Sequence, residues 1–171
     1  MLSVGAARGL HPKAAVAEFQ GVSDADVHDD SRALRRGDFP VLREIPTRWA
    51  DDDTYGHVNN VVHYAMFDTA VNGWLIEASG VDIRELPAVG LVVETSCRYF
   101  AELRFPVVVT AGLAVERIGT SSVVYQLALF DDGEEPAAVG RFVHVYVDRK
   151  TRRPTPVPAE IRAALRGAPI A

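Results

Sequence analysis

The sequence has little of what several protein classes require. A single cysteine, Cys97, among 171 residues excludes an internal disulfide and a zinc site built from several cysteines. No apolar run approaches the roughly 20 residues that a membrane-spanning helix needs. The 18 basic residues are outnumbered by 23 acidic ones, for a net charge of −5, whereas nucleic-acid-binding proteins usually carry excess Lys and Arg. We therefore expect a cytoplasmic protein that binds neither nucleic acid nor membrane.

The sequence also lacks the motifs of several familiar catalytic and metal sites. It has no Gly-rich phosphate-binding loop and no Gly-x-Ser-x-Gly motif of a serine hydrolase. His57 and His63 are six residues apart, not the four that place two zinc ligands on one helix face. Asp51, Asp53 and Asn59 offer oxygen ligands, but the other ligands of a calcium loop do not follow. We expect no metal and no cofactor.

The first 40 residues differ from the rest in pattern. They show neither sustained alternation nor a helical stripe of apolar residues, so we expect a poorly ordered extension over residues 1–40 and the folded domain over residues 41–171. Arg8, His11 and Lys13 precede any acidic residue, which leaves a targeting peptide as an alternative. The apolar segment of a secretory signal does not follow them.

Hydrophobic periodicity after the extension predicts one long helix and five strands. Residues 43–50 form the first strand, which Pro46 confines to a sheet edge. Residues 60–78 form a helix that ends at Gly80 and is apolar almost all round, so we expect other elements to wrap around it. Four alternating strands and a short helix follow, at residues 89–99, 107–115, 123–129, 137–147 and 156–165. Because short turns join antiparallel neighbours, we expect an α+β fold with one sheet curled around the helix.

The densest group of reactive side chains lies in the loop before the long helix. Three acidic residues at 51–53 are followed by Gly56 and by the amides Asn59 and Asn60. The start of a helix offers unpaired backbone N–H groups and a partial positive charge, which can hold an oxyanion beside a carboxylate base or nucleophile. The structural alternative is that Asp and Asn serve here as ordinary loop and helix-cap residues, with the acidic run solvated.

This loop resembles the signature of hotdog-fold acyl-CoA thioesterases. The resemblance rests on Arg48-Trp49-Ala50-Asp51-Asp52-Asp53-Thr54-Tyr55-Gly56-His57-Val58-Asn59-Asn60, followed by Tyr64 and Phe67, and is closest to the 4-hydroxybenzoyl-CoA thioesterase-like branch. It covers about residues 41–165. It implies a hotdog fold, in which a five-stranded antiparallel sheet wraps round a long central helix. It also implies a homodimer or homotetramer with active sites between subunits.

The resemblance further implies roles for individual residues. Asp53 would be the catalytic carboxylate, the backbone N–H of Asn60 would polarise the thioester carbonyl, Gly56 would permit the turn, and His57 would hold the loop. Five residues are expected to contact the substrate. Two of them, Arg149 and Arg152, are expected to contact the phosphates of coenzyme A. The other three are Asn59, which also lines the entrance, Tyr64 and Asp68.

The predicted activity is hydrolysis of an acyl-CoA to a free carboxylic acid and coenzyme A, with Asp53 as base or nucleophile. Two alternatives remain open: a hotdog hydratase or dehydratase acting on enoyl thioesters, and a non-catalytic acyl-CoA-binding module. The helix departs from many relatives, because it reads Phe67-Asp68-Thr69-Ala70-Val71 where they carry a glutamate and an arginine. We expect Asp52 to face solvent, since another buried carboxylate would raise the pKa of Asp53.

Overall fold

In the computed structural model, which describes residues 31–170, the chain builds a five-stranded antiparallel sheet with a long helix packed on it. The strands are β1 (Val41–Pro46), β2 (Ala88–Tyr99), β3 (Val108–Ile118), β4 (Ser122–Phe130) and β5 (Ala138–Asp148). The long helix is α1 (Asn60–Ser79), and a short helix, α2 (Ala159–Leu165), follows the last strand. This architecture confirms the predicted α+β fold with five strands and a central helix.

The order of strands, β1-β3-β4-β5-β2, corrects the expectation that short turns join each of the last four strands to the next as neighbours. Strands β3, β4 and β5 do pair in succession through short turns, but β2 pairs with β5 in a register that sets Gly90 opposite Tyr146. The segment 100–107 between β2 and β3 exceeds the two to five residues of a hairpin loop. It carries the chain between strands that are not adjacent, which the alternation of the strands alone does not reveal.

The two edges of the sheet are unlike. β1 lies at one edge, as Pro46 predicted, and Pro46 pairs with Val108 where the strand ends. β2 lies at the other edge, where its residues 92–96 are all exposed. The shorter edge is therefore limited by proline, whereas no strand within residues 31–170 covers the longer one.

Helix α1 has defined ends and buries one face. It begins after Asn59, whose side chain accepts a hydrogen bond from the N–H of Val61, and it ends at Gly80, which adopts a left-handed conformation. Its buried apolar residues, which pack on the sheet, are Met66, Phe67, Ala70, Val71, Trp74 and Leu75. Because Val61 is 63% exposed and Ile76 is 37% exposed, the expectation that the helix is covered on all sides is wrong for the single chain.

Residues 31–40, which fall within the predicted extension, are part of the described structure. They form two short 3-10 helices, Ser31–Ala33 and Arg36–Asp38. Phe39 is buried and packs edge-on against Phe130, with 5.7 Å between ring centroids. Residues 1–30, the remainder of that prediction, lie outside the described residues.

Candidate active site

The loop between β1 and α1 is closed by backbone hydrogen bonds. At its base the N–H of Asn59 donates to the carbonyl of Asp51 at 2.8 Å. Further along, the N–H of Asp53 donates to the carbonyl of His57 at 2.8 Å, and that of Gly56 donates to the carbonyl of Asp53 at 3.1 Å. Gly56 has a φ of +76°, a left-handed conformation that glycine adopts without strain. The loop therefore holds Asp53 in a defined position, seven residues before the first residue of α1.

The first two of the three consecutive acids fasten the loop. Asp51 is only 3% exposed and accepts hydrogen bonds from the guanidinium and the backbone N–H of Arg48, each at 2.7 Å. The hydrogen bond from the Arg48 side chain holds the pKa of Asp51 below its usual value. Asp52 is partly buried and accepts a hydrogen bond from the N–H of Phe105 at 3.1 Å. Asp52 therefore faces solvent only in part, and its carboxylate also holds the connection 100–107.

The third acid, Asp53, keeps one carboxylate oxygen open. Its Oδ1 accepts hydrogen bonds from the backbone N–H groups of Tyr55, at 2.8 Å, and His57, at 3.3 Å. Within residues 31–170, no donor is recorded for its Oδ2. Asp53 is thus oriented through one oxygen, while the other can meet a substrate or a water molecule.

A second segment, the connection 100–107, lies against the loop and brings charges that sequence analysis missed. The N–H of Val58 donates to the carbonyl of the buried Leu103 at 2.7 Å. Glu102 lies 3.1 Å from Nε2 of His57 and 2.7 Å from Nη2 of Arg104, and the hydrogen bond from Arg104 lowers the pKa of Glu102. His57 is therefore held by charged partners on another segment. Their only sequence signal is that Glu102 and Arg104 flank an apolar residue.

The first turn of α1 presents backbone N–H groups beside the loop. The N–H of Val61 is capped by Oδ1 of Asn59 at 3.2 Å, and the N–H of Val62 donates to the Asn59 carbonyl at 2.9 Å. The N–H of Asn60, the first in the helix, has no recorded acceptor in the described part of the chain. Such a group is a donor available to a ligand oxygen.

One turn further along α1, His63 rather than Tyr64 is directed inward. His63 is 4% exposed, and its Nδ1 lies 3.2 Å from the carbonyl oxygen of Asn59. Its ring packs edge-on against Tyr99 of β2, with 5.0 Å between centroids, and burial lowers its pKa. Tyr64 is only partly buried and packs edge-on against Phe67. Sequence analysis assigned no role to His63 or Tyr99, although a lone histidine in an apolar helix was the available signal.

Two predicted substrate-binding residues line a cavity of about 480 Å³ between α1 and the sheet. Asp68 on α1 and Arg149 after β5 both border it, whereas Arg152 does not. Asp68 follows Asn60 by eight residues, about 12 Å along the helix axis. The apolar residues of the lining include Leu75, Ile76, Ile83 and Leu86. The structure therefore brings Asp68 and Arg149 together, away from the first turn of α1.

A family model described as the thioesterase-like superfamily matches residues 47–165, which include the Asp53 loop and nearly all of the sheet. The chain belongs to this superfamily. It is a thioester hydrolase with the hotdog fold, as the resemblance of the loop predicted.

Solved structures agree with this assignment. The thioesterase is 50% identical to the PA5185 protein of Pseudomonas aeruginosa strain PAO1, over 81% of this chain and 97% of that one, with a TM-score of 0.78. It is 32% identical to PA2801 of Pseudomonas aeruginosa, a proposed thioesterase, over 74% and 98% of the two chains, with a TM-score of 0.67. A thioesterase from Thermus thermophilus, complexed with coenzyme A and Zn, is 28% identical over 75% and 93%, with a TM-score of 0.65. No curated protein gives a significant match.

Three further observations concern metal binding, membrane insertion and the cysteine thiol of this thioesterase. Within residues 31–170, no group of three or more His, Cys, Asp or Glu side chains could hold a metal ion. In the same part of the chain, no helix is both long and apolar enough to cross a membrane. Burial raises the pKa of the Cys97 thiol to about 11, so this thiol is protonated at neutral pH.

Proposed function

We propose that this thioesterase hydrolyses an acyl-CoA to a free carboxylic acid and coenzyme A, with Asp53 as the catalytic carboxylate. The observation that carries this proposal is that two groups close together in the chain, one in the loop and one at the first residue of α1, are open to a ligand. Asp53 has an oxygen without a recorded donor, and Asn60 has an N–H without a recorded acceptor, in the described part of the chain. A thioester carbonyl bound between them would meet a hydrogen-bond donor at its oxygen and a carboxylate near its carbon.

The chemistry follows from these two groups. Oδ2 of Asp53 either takes a proton from an attacking water molecule or attacks the carbonyl carbon itself, giving an anhydride that water then cleaves. In both routes the C–S bond breaks and coenzyme A leaves as a thiolate that acquires a proton. The N–H of Asn60 bonds to the carbonyl oxygen, on which negative charge develops in the transition state. A positioned base contributes about 10²–10⁴ in rate, and one oxyanion donor about 3–4 kcal/mol.

The shared cavity refines where parts of the substrate would bind. Because Asp68 and Arg149 line the same cavity, both would contact the same portion of the substrate. The cavity's apolar side chains Leu75, Ile76, Ile83 and Leu86 suit an acyl group, and Arg84, which also lines the cavity, is already paired with Asp82. We therefore assign this cavity to the acyl group. Of the two arginines predicted to contact the phosphates of coenzyme A, Arg152 lies outside this cavity, and we assign it alone to the phosphates.

The direct test is hydrolysis by the purified full-length chain of a panel of short-chain, long-chain and aromatic acyl-CoAs. We expect thiol release from at least one of these classes, followed with a chromogenic thiol reagent. A panel that yields no thiol from any substrate would contradict the proposal. Consumption of an enoyl-CoA without thiol release would instead support a hydratase.

We also propose that the protein forms a homodimer through the open edge of β2. No strand of the described chain covers this edge, and it exposes Val92 by 44% and Val93 by 36%. A long edge with unpaired backbone groups and exposed valines is a template for pairing with another strand. A second copy of β2 would supply one and extend the antiparallel sheet. A tetramer and the cytoplasmic location stay predictions from the sequence.

Lysines on the β2 edge are expected to produce a monomer. The double substitution Val93→Lys, Thr95→Lys places two positive charges on each copy where the edges would meet, and like charges facing each other oppose strand pairing. Light scattering coupled to size exclusion measures the mass, which should fall from twice that of the chain to that of the chain. The matched control is Val108→Lys, at a valine that is 53% exposed at the start of β3. A double variant that stays dimeric would overturn the assignment of this edge.

A further inference from the structure

His63 contacts the peptide group that carries the proposed oxyanion donor. The carbonyl oxygen of Asn59, which lies 3.2 Å from Nδ1 of His63, belongs to the same planar amide as the N–H of Asn60. His63 therefore contacts one end of this amide, while its other end is offered to the substrate. The catalytic steps proposed above use no atom of His63 directly.

The direction of this hydrogen bond follows from its partners. A carbonyl oxygen has lone pairs and no proton, so Nδ1 of His63 must carry the hydrogen and donate. His63 is 4% exposed, and its burial lowers its pKa, which keeps the ring neutral at neutral pH. The ring is also held by its edge-on contact with Tyr99 on β2. The bond is thus a fixed donor contact from a neutral imidazole.

This contact bears on the donor strength of the Asn60 N–H. The Asn59 carbonyl already accepts the N–H of Val62 at 2.9 Å, so His63 adds a second donor to the same oxygen. Hydrogen bonds to the carbonyl of an amide polarise it and strengthen its N–H as a donor. The contact also restricts rotation of the peptide plane, which sets the direction in which the N–H points.

We propose that His63 is a positioning residue, which orients and polarises the Asn59–Asn60 peptide through its Nδ1 so that the Asn60 N–H stabilises the oxyanion. This inference rests on the proposed function. It assigns to His63 a role in the rate of the chemical step and none in substrate binding.

Two amide substitutions test this role. Asparagine places its NH₂ group close to the position of Nδ1, whereas glutamine reaches toward the position of Nε2. We therefore expect His63→Asn to retain kcat within about threefold, and His63→Gln to lose about tenfold in kcat with KM little changed, as expected for one hydrogen bond. Steady-state kinetics on an acyl-CoA that the wild type hydrolyses give both values.

A purely structural role for His63 predicts that His63→Asn, and not His63→Gln, is the more damaged variant. Asparagine is a weaker helix former than glutamine, so loss of helix stability would harm His63→Asn more than His63→Gln. Thermal melting of both variants reports that stability separately from kcat. A second readout is the proton chemical shift of the Asn60 amide, which should move upfield in His63→Gln and stay near its wild-type value in His63→Asn.

The outcomes separate this inference from the proposed function. If Asp53→Asn abolishes turnover while His63→Asn and His63→Gln have equal kcat, the role of His63 is overturned and the proposed function stands. An effect of His63→Gln on KM alone would also overturn it. If the wild type hydrolyses no acyl-CoA, the proposed function fails and the inference about His63 fails with it.

Discussion

Asp53→Asn is expected to lower kcat by about 10²–10⁴-fold with little change in KM, because it removes a positioned base or nucleophile. The asparagine Oδ1 can still accept the N–H groups of Tyr55 and His57, so the loop should keep its shape while the charge on the open oxygen is lost. Steady-state kinetics with the acyl-CoA that the wild type hydrolyses fastest give both parameters.

Asp52→Asn is the matched control, since it removes an equal charge from the neighbouring position. Its oxygen can still accept the N–H of Phe105, and we expect kcat within about threefold of wild type, as for a substitution without a catalytic role. Similar losses in the Asp52 and Asp53 variants would show that the total charge of the loop matters, and would contradict a specific role for Asp53.

Asn60→Pro is expected to lower kcat by about 10²–10³-fold, because proline has no backbone N–H with which to stabilise the oxyanion. The fold should tolerate the change. Asn60 is the first residue of α1, where proline is favoured, and Asn59 already has φ −58° and ψ 141°, which suit a residue before proline. Single-turnover or steady-state kinetics measure the loss.

Asn60→Ala provides the comparison for this effect, since it removes the side chain and keeps the N–H. We expect near-wild-type kcat for Asn60→Ala and similar melting temperatures for both variants. If Asn60→Pro hydrolyses acyl-CoA as fast as Asn60→Ala, the oxyanion donor must be another group.

Much of the candidate site could be predicted because its elements are adjacent in the chain. Asp53, Gly56 and Asn60 lie within eight residues, and the helix that follows has a recognisable start and a glycine stop. Local spacing was therefore enough to place a carboxylate beside a helix N-terminus. The same reasoning did not separate the three acids, since only their hydrogen-bond partners show that Asp51 and Asp52 fasten the loop.

The contacts that the candidate site makes with distant segments of the chain could not be predicted from the sequence. Glu102 and Arg104 meet His57 from a connection more than 40 residues away, and Asp52 binds the N–H of Phe105 in the same connection. His63 lies near the loop in sequence, but its role depends on burial against Tyr99, which lies 36 residues further along the chain. No periodicity within one segment carries this information.

Residues close together in the chain are enough to specify the helix, the strands, the proline-limited β1 edge and the loop that resembles thioesterases. Contacts between distant segments instead set the pairing of β2 with β5, leave the other edge of β2 uncovered within residues 31–170, and leave one oxygen of Asp53 available. The scarcity of cysteine and of long apolar runs excludes other classes without indicating these contacts. They arise because packing of the sheet on α1 brings together backbone groups that must find partners once they leave water.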